Sequence, residues 1–190
     1  TVTVKVRRPA HGAVVRERER GDNGAAAWPL REKAEGLGDR TAAGNWAWFE
    51  TTRRMPSYAR RRLLEEIASR LEHAKEELAT LIEHEAGKPK TLARFEVDRA
   101  ITTFWLGAEE ATRIGGEVIP LDVTEATAGY RGHWQRVPRG PVLAITPFNF
   151  PLNLVAHKVA PAIAAGASVL LKPPPQTPLT SLRLAEIVRD

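Results

Sequence analysis

Hydrophobic residues recur at helical spacing along one long stretch that begins near Pro56. Within a charged background, the apolar positions are Leu64, Ile67, Leu71, Ala74, Leu78, Leu81 and Ile82. This spacing is typical of an amphipathic helix. Gly87 followed by Pro89 is the usual chemistry of a helix end. We therefore predict a helix from about Pro56 to Gly87.

A second helical stretch runs from about Thr91 to Arg113 and ends before Gly115 and Gly116. The residues that we place on or near one face of it are Leu92, Phe95, Phe104 and Ala108. Each stretch has a single apolar face that must be covered, so we expect the two to form an antiparallel helical layer.

Shorter patterns on either side of this layer predict strands. Residues 1–6 alternate as a strand does and lack the apolar core of a signal peptide. Residues 117–121 and 130–137 both suit strands and are joined by a polar turn that includes Gly129, which predicts a hairpin. Residues 7–54 contain many glycines and no sustained apolar period, so we expect loop or weak helix there.

The last third of the chain alternates between apolar runs and helical patterns. We predict a strand at 142–146, a helix at about 152–165, a strand at 168–172 and a helix at 179–190. Pro151 is expected in the first turn of the earlier helix and Gly166 at its end. Both strands are apolar on both faces, as in parallel sheets covered by helices. The expected fold class is α/β, with an incomplete Rossmann-like doubly wound parallel sheet.

Four segments follow from these patterns. Residues 1–55 are a poorly patterned N-terminal segment, 56–116 the helical layer, 117–137 a β-hairpin arm and 138–190 the first βαβα unit. The sheet has too few strands to be complete, so we expect a fragment of a longer fold.

The amino-acid composition favours a globular domain and excludes several kinds of site. The chain is 43% hydrophobic and 27% charged, which is typical of a globular domain. It has no cysteine, which excludes disulfides, cysteine metal sites and a thiol nucleophile from this chain. The sequence contains no apolar run long enough to span a membrane. We expect a cytoplasmic protein. His73 and His84 have no second ligand at metal spacing, so no metal site is predicted.

The net charge of +5 could indicate an anionic partner. However, the basic residues are mixed with acidic ones, and no basic stripe with interleaved aromatic residues occurs. A solvated, arginine-rich surface explains the charge better, and nucleic-acid binding is the weakest alternative.

Two polar side chains follow the apolar strands of the predicted sheet. Ligands of open parallel sheets bind at the carboxyl ends of strands, which is where Asn149 and Lys172 lie. Asn149 could stabilise an oxyanion with its NH₂ group. Alternatively, it is a turn or N-cap residue. Lys172 could bind a phosphate or ribose, or it is a lysine that extends from a strand end to solvent. Glu83 and Glu85 resemble an ordinary charged helix end.

The stretch GPVLAITPFNFPLNLVAHKVAPAIAAGASVLLKPPPQTPLTSLRLAEIV, residues 140–188, closely resembles the aldehyde dehydrogenase superfamily. The family patterns G-x-x-x-x-I-x-P-[WF]-N-[FY]-P, K-x-x-P-A-[LI]-A-A-G-[NC] and K-P-[SAP]-[EPT]-x-[TS]-P occur in order and at the right spacing, with Ala167 at the last position of the second. EHEAGKP, residues 83–89, is similar to the family's E-x-G-K-P segment. The resemblance extends from about Pro56 to the end of the chain.

This resemblance implies roles for individual residues. Asn149, with the backbone N–H of a catalytic cysteine, would hold the oxyanion of a thiohemiacetal. Lys172 would contact the adenosine ribose of the cofactor, NAD or NADP. The residues implied to line the nicotinamide side are Thr146, Pro147 and Phe148, and Leu154 lies near the substrate tunnel. Pro175 stands where many NAD-preferring members carry a glutamate, so we expect NADP to be accepted or even preferred.

The function that the resemblance implies is that of the N-terminal part of an NAD(P)-dependent aldehyde dehydrogenase, which oxidises an aldehyde to a carboxylic acid. The resemblance is also compatible with a CoA-acylating member of the family. The hairpin resembles an oligomerisation arm, which implies a homodimer or homotetramer. Since the chain has no cysteine, we expect the 190 residues alone to be inactive. The alternative is a catalytically inactive remnant or a subunit-pairing fragment.

Overall fold

A computed structural model describes residues 2–7, 14–20 and 39–189 of the chain. Helix α1 (Asp39–Thr52) packs against the strand Val169–Lys172, and three helices form the helical layer: α2 (Ser57–His73), α3 (Lys75–Ala86) and α4 (Lys90–Ala111). None of the helices in these ranges is long and apolar enough to cross a membrane.

The first predicted helix is divided in two. The backbone leaves helical geometry at Ala74, with φ −88° and ψ 8°, so α2 ends there and α3 begins at the next residue. The apolar stripe nevertheless continues across the break, because Leu71 before it and Leu78 after it are both fully buried. The single helix that the spacing predicted is therefore wrong; five of its seven apolar positions are buried, and Ala74 and Leu81 are half-buried.

Helix α4 has the predicted extent but a different buried face. Phe104 is buried as expected, whereas Leu92 and Phe95 are 57% and 62% exposed, so their prediction is wrong. The buried positions of the helix are Ala93, Glu96, Val97, Ala100, Ile101, Phe104, Gly107, Ala108 and Ala111. The small residues in this set let α4 lie close to its neighbours. An added Cβ on Gly107 would lie 3.3 Å from the Cβ of Ala160.

The β-hairpin is present and belongs to a larger antiparallel sheet. Strands β3 (Gly116–Pro120) and β4 (Arg131–Arg136) pair as predicted. Strand β1 (Val2–Arg7) pairs with β4 on one side and β2 (Val14–Arg20) on the other, giving the order β2-β1-β4-β3.

Two elements therefore lie in the segment where loop or weak helix was expected. Strand β2 contradicts that expectation, because its pairing with β1, and not an apolar period of its own, establishes it. Helix α1 occupies fourteen residues of the same segment. The prediction for residues 8–13 and 21–38 lies outside the described residues.

The last part of the chain is a βαβα unit with nearly the predicted bounds. It contains β5 (Val142–Ile145), α5 (Asn153–Ala164), β6 (Val169–Lys172) and α6 (Pro178–Arg189). Strands β5 and β6 are parallel neighbours. Helix α5 begins at Asn153, so Pro151 precedes the helix and does not lie in its first turn. Gly166 ends this helix region with φ +80°, a conformation that favours glycine.

One hydrophobic core joins the helical layer to the βαβα unit. Its side chains come from α2, α3 and α4 on one side and from α5 and α6 on the other, and include Leu64, Phe104, Val155 and Leu184. The two βα loops are therefore fixed against a preformed layer of helices.

Candidate functional site

The two predicted site loops begin side by side. The parallel pairing of β5 and β6 places Val142 opposite Val169 and Ile145 opposite Lys172. The residues after Ile145 and after Lys172 therefore leave the sheet at the same edge, as the sequence led us to expect. This is the carboxyl edge, where open parallel sheets bind ligands.

The first loop presents its side chains in two directions. Thr146 is only 5% exposed, and its hydroxyl has no hydrogen-bond partner among the described residues. Pro147, Phe148 and Asn149 are exposed. The Asn149 amide makes no hydrogen bond to any residue in the described ranges. The loop therefore holds the amide on its solvent side, where a reacting oxygen could approach it.

The second loop begins with a positively charged residue, Lys172, at the same edge of the sheet. Lys172 and Pro175 are exposed, whereas Pro174 between them is buried. Thr177, at the end of the loop, is 1% exposed and has an unpaired hydroxyl within the part of the chain that the structure describes. Leu154 lies on the first turn of α5 and is half-buried. The structure thus places all the predicted site residues at the ends of the two strands or on α5 directly after the first loop.

A buried glutamate that the sequence did not point to binds the end of the first loop. Glu96 of α4 is 1% exposed. Its Oε1 accepts hydrogen bonds from the backbone N–H of Leu152 at 3.0 Å and of Asn153 at 3.2 Å. These N–H groups belong to the start of α5, where the intrahelical acceptors are missing. The N-cap of α5 is Leu152, so the N-cap alternative for Asn149 is wrong, whereas the turn alternative is compatible with the structure because Asn149 lies in the bend before the helix.

Lys88 completes the contacts of Glu96. Its Nζ lies 2.5 Å from Glu96 Oε2 and 3.9 Å from the centre of the Phe150 ring. The guanidinium carbon of Arg99 lies 5.8 Å from the centre of the same ring. Two cations therefore flank the aromatic residue that directly follows Asn149.

A second glutamate, Glu85, accepts hydrogen bonds from backbone N–H groups at the end of the second loop. Glu85 accepts hydrogen bonds from the backbone N–H of Leu179 at 2.5 Å and of Thr180 at 2.9 Å, and from the Thr180 hydroxyl at 2.6 Å. The interpretation of Glu85 as an ordinary charged helix end is therefore wrong. Carboxylates already occupy the first N–H groups of both α5 and α6, so an anion at either helix start would meet a negative charge.

The short segment between α3 and α4 supplies most of these contacts. Glu85 caps α6, and Gly87 ends α3 in the left-handed region with φ 63° and ψ 25°. Lys88 pairs with Glu96, and Pro89 precedes α4. The E-x-G-K-P similarity therefore has a physical explanation: Glu85 and Lys88 join the helical layer to the two site loops, and Gly87 and Pro89 shape the turn that carries them.

One signal in the sequence could have identified Glu96. It occupies a position on the apolar stripe of α4 between Ala93 and Ala100, where a charge is costly unless it is paired. The partners themselves are 56 and 57 residues away along the chain, so their identity requires the fold.

A separate cleft of about 760 Å³ lies away from the two loops. Residues that line it include Arg60, Pro138, His157 and Pro161, and neither Asn149 nor Lys172 is among its lining residues. Burial lowers the pKa of the Arg60 guanidinium. We do not place the candidate site there, because the loops at the carboxyl edge carry the relevant chemistry.

Comparison with known proteins identifies the family. Residues 32–190 match the aldehyde dehydrogenase family. The chain belongs to the aldehyde dehydrogenase family. Its fold class is confirmed by solved members. Aldehyde dehydrogenase 21 from Physcomitrella patens, in complex with the reaction product succinate, superposes with a TM-score of 0.76 at 43% identity, over 83% of this chain and 32% of that one.

Two further relatives show the breadth of the family. Glyceraldehyde-3-phosphate dehydrogenase GapN from Methanocaldococcus jannaschii, complexed with NADP, has a TM-score of 0.73 at 36% identity, over 94% of this chain and 35% of that one. Aspartate-semialdehyde dehydrogenase 1 of Pseudomonas canavaninivorans is 45% identical over 68% of this chain and 28% of that protein. The chain spans less than a third of the length of the curated relatives that it matches.

Proposed function

We propose that the protein containing this chain is an NAD(P)-dependent aldehyde dehydrogenase that oxidises an aldehyde to a carboxylic acid through a cysteine thiohemiacetal. The chief support is the placement of Asn149 and Lys172 at one edge of the parallel pair β5–β6. Family membership supports the reaction class. The chain has no cysteine, so the nucleophile and the base would come from elsewhere in the protein.

In this proposal the chain binds and orients the reactants. The Asn149 NH₂ group donates a hydrogen bond to the oxygen that becomes negative when the aldehyde is attacked. Because this amide does not titrate, it donates at any working pH. Pro147 on one side and the hydrogen-bonded start of α5 on the other restrict the loop, so little reorganisation is needed when charge develops.

The same edge fits a nicotinamide dinucleotide, which accepts a hydride when bound. Lys172 is an exposed donor beside the end of β5, suited to a ribose hydroxyl, and Thr146, Pro147 and Phe148 would line the nicotinamide side. Thr146 and Thr177 each carry a buried hydroxyl without a partner in the described part of the chain, one in each loop. Unpaired polar atoms of this kind are consistent with a polar ligand at this edge.

Pro175 favours acceptance of NADP. It provides no carboxylate to bind a 2′-hydroxyl or to repel a 2′-phosphate, and GapN from Methanocaldococcus jannaschii is a relative solved with NADP. We expect Pro175→Glu to reduce kcat/KM with NADP more than with NAD. Equal effects on both cofactors would argue against this assignment of position 175.

We further propose that the aldehyde carries a second, anionic group. Some relatives are named as aspartate-semialdehyde, 3-sulfolactaldehyde and sulfoacetaldehyde dehydrogenases, and others as lactaldehyde dehydrogenases, whose named substrate is uncharged, so the proposal depends on Arg99. Arg99 is exposed, lies beside Phe150 and has no ion-pair partner among the described residues, so it is available to bind a carboxylate or sulfonate. Arg99→Met should raise KM for an aldehyde acid and leave KM for an uncharged aldehyde of equal length unchanged. Equal effects on both aldehydes would contradict this.

The direct test is a spectrophotometric assay of the full-length protein with NAD or NADP and a panel of aldehydes. We expect Asn149→Ala to lower kcat by roughly 100- to 1,000-fold with little change in cofactor affinity. The alternative is a non-catalytic remnant or a subunit-pairing fragment. Absence of reduced cofactor with every aldehyde, together with no thermal shift on adding NAD or NADP, would favour the remnant.

A homodimer or homotetramer remains part of the proposal. Strand β3 is an edge of the antiparallel sheet in the described residues, and its Val118 is 78% exposed. Light scattering of the full-length protein measures the oligomeric state, and a monomer would contradict this assignment of the hairpin.

A further inference from the structure

We propose that Glu96 and Lys88 are positioning residues for Asn149: together they fix the loop that carries the oxyanion-binding amide, and so act on the reaction without touching the substrate. This inference rests on the proposed function. It concerns a pair of charges that lie in the helical layer, outside the two βα loops.

The first argument is geometric, because the loop is fixed at both ends. At its start, Ile145 is held in the sheet opposite Lys172. At its end, the backbone N–H groups of Leu152 and Asn153 both donate to Glu96 Oε1. Asn149 lies between these two fixed points, and its own amide has no hydrogen bond to a described residue. The orientation of Asn149 therefore depends on the two anchors.

The second argument is the contact next to Asn149. Lys88 Nζ is 2.5 Å from Glu96 Oε2 and 3.9 Å from the centre of the Phe150 ring. The same ammonium group thus binds the carboxylate that holds Leu152 and the ring that follows Asn149. The pair contacts the loop at two places, through the backbone and through an aromatic side chain.

The third argument is burial. Glu96 is 1% exposed and Lys88 19% exposed, so water cannot readily replace either partner. A buried carboxylate with two N–H donors and one ammonium group restricts the loop more strongly than an exposed ion pair of the same length. The layer that carries Glu96 is also the rigid part of the fold, since α4 lies within the hydrophobic core.

The test is a double-mutant cycle in the full-length protein. Glu96→Gln keeps the shape of the side chain but leaves Lys88 without a carboxylate. We expect it to lower kcat by roughly 10- to 100-fold, because a displaced catalytic group loses rate steeply, while KM for the cofactor changes by less than about threefold. In the Asn149→Ala background the same substitution should lower the residual kcat by less than about twofold, because the group that it positions is gone.

Glu85→Gln is the matched control. It removes the corresponding carboxylate from the start of α6, which touches the Asn149 loop through a single long hydrogen bond, from Ser181 Oγ to the carbonyl oxygen of Pro151 at 3.4 Å. The fold-change in kcat that Glu85→Gln causes should be the same in the wild-type and Asn149→Ala backgrounds. If Glu96→Gln likewise lowered kcat equally in both backgrounds, or did not lower it at all, the positioning role would be wrong and Glu96 would only stabilise the fold.

Lys88→Arg covers the case in which Glu96→Gln does not fold. It keeps the positive charge but changes the shape of the group on Phe150, so we expect kcat to fall by about 3- to 10-fold, and to do so only when Asn149 is present. A decrease independent of Asn149 would overturn the proposal.

Hydrogen exchange separates this inference from the proposed function. We expect Glu96→Gln to speed exchange of the backbone amides of Leu152 and Asn153, and Glu85→Gln to speed that of residues 179–180. If the wild-type protein oxidised no aldehyde but these changes occurred, the function would be wrong and the anchoring of the loop correct. Unchanged exchange at Leu152 and Asn153 in Glu96→Gln would refute the anchoring itself.

Discussion

Removing the positive charge of Lys88 should destabilise the protein through Glu96. In Lys88→Met the Glu96 carboxylate keeps its two backbone N–H donors but loses the ammonium group 2.5 Å away, and it remains 1% exposed. Breaking a buried ion pair costs about 3–5 kcal/mol. Because the two N–H donors still stabilise the charge, we expect the lower end, about 3 kcal/mol.

Thermal unfolding of the full-length protein measures this loss. For a unit of about 150–250 residues, 1 kcal/mol moves Tm by about 2–4 °C, so we expect the first transition to fall by roughly 6–12 °C. The double variant Lys88→Met with Glu96→Gln should recover part of this loss, because it buries no charge, although a neutral Gln oxygen accepts the two N–H groups more weakly than a carboxylate does.

Two outcomes would refute this reasoning. One is a loss of less than about 1 kcal/mol in Lys88→Met, which would mean that the ammonium group does not stabilise the carboxylate. The other is a double variant less stable than Lys88→Met, which would mean that the interaction with Leu152 and Asn153 needs the negative charge itself.

Three further predictions concern other parts of the fold. Gly116→Ala should destabilise the hairpin by about 1–3 kcal/mol, because its Cβ would lie 1.7 Å from the carbonyl oxygen of Trp134; unchanged chemical denaturation would contradict this. Gly166→Ala should cost about 1–2 kcal/mol because φ is +80°, and an unaltered Tm would count against it. A hydrogen bond from Arg94 holds the pKa of Glu76 below its ordinary 4.5. The pair should therefore stabilise the protein above about pH 4.5 and lose its effect as the pH falls through the lowered pKa; a Glu76→Gln variant whose Tm difference from wild type does not shrink in acid would refute this.

The sequence predicted the βαβα unit well because its signals are local. Apolar runs define β5 and β6, and Gly166 adopts the conformation that its residue type favours. The break at Ala74 was not predictable from spacing, because alanine favours helices and the buried stripe continues on both sides of it. Strand β2 was missed for a different reason. It is rich in Arg and Glu, and only its pairing with β1 gives it structure.

The site was predictable only in part. The positions of Asn149 and Lys172 follow from strand ends, which are visible in the sequence. Their chemical roles rest on the family resemblance and stay predictions. Glu85 and Glu96 could not be assigned from the sequence, because the backbone groups that they bind lie between 56 and 95 residues further along the chain. Long-range hydrogen bonds of this kind leave no local periodicity.

The two long-range carboxylate contacts also bear on the order of folding during synthesis. A ribosome releases the N-terminal part of a chain first. Glu85 and Glu96 therefore leave the ribosome before the starts of α5 and α6 are made. The helices that carry them, α3 and α4, are held by hydrogen bonds between residues close together in the sequence. A carboxylate that can accept hydrogen bonds from the first N–H groups is therefore already present when each later helix is made. These N–H groups would otherwise have no partner within the helix, which costs free energy. We therefore expect the helical layer to be made first and to offer these acceptors to α5 and α6 as they are synthesised.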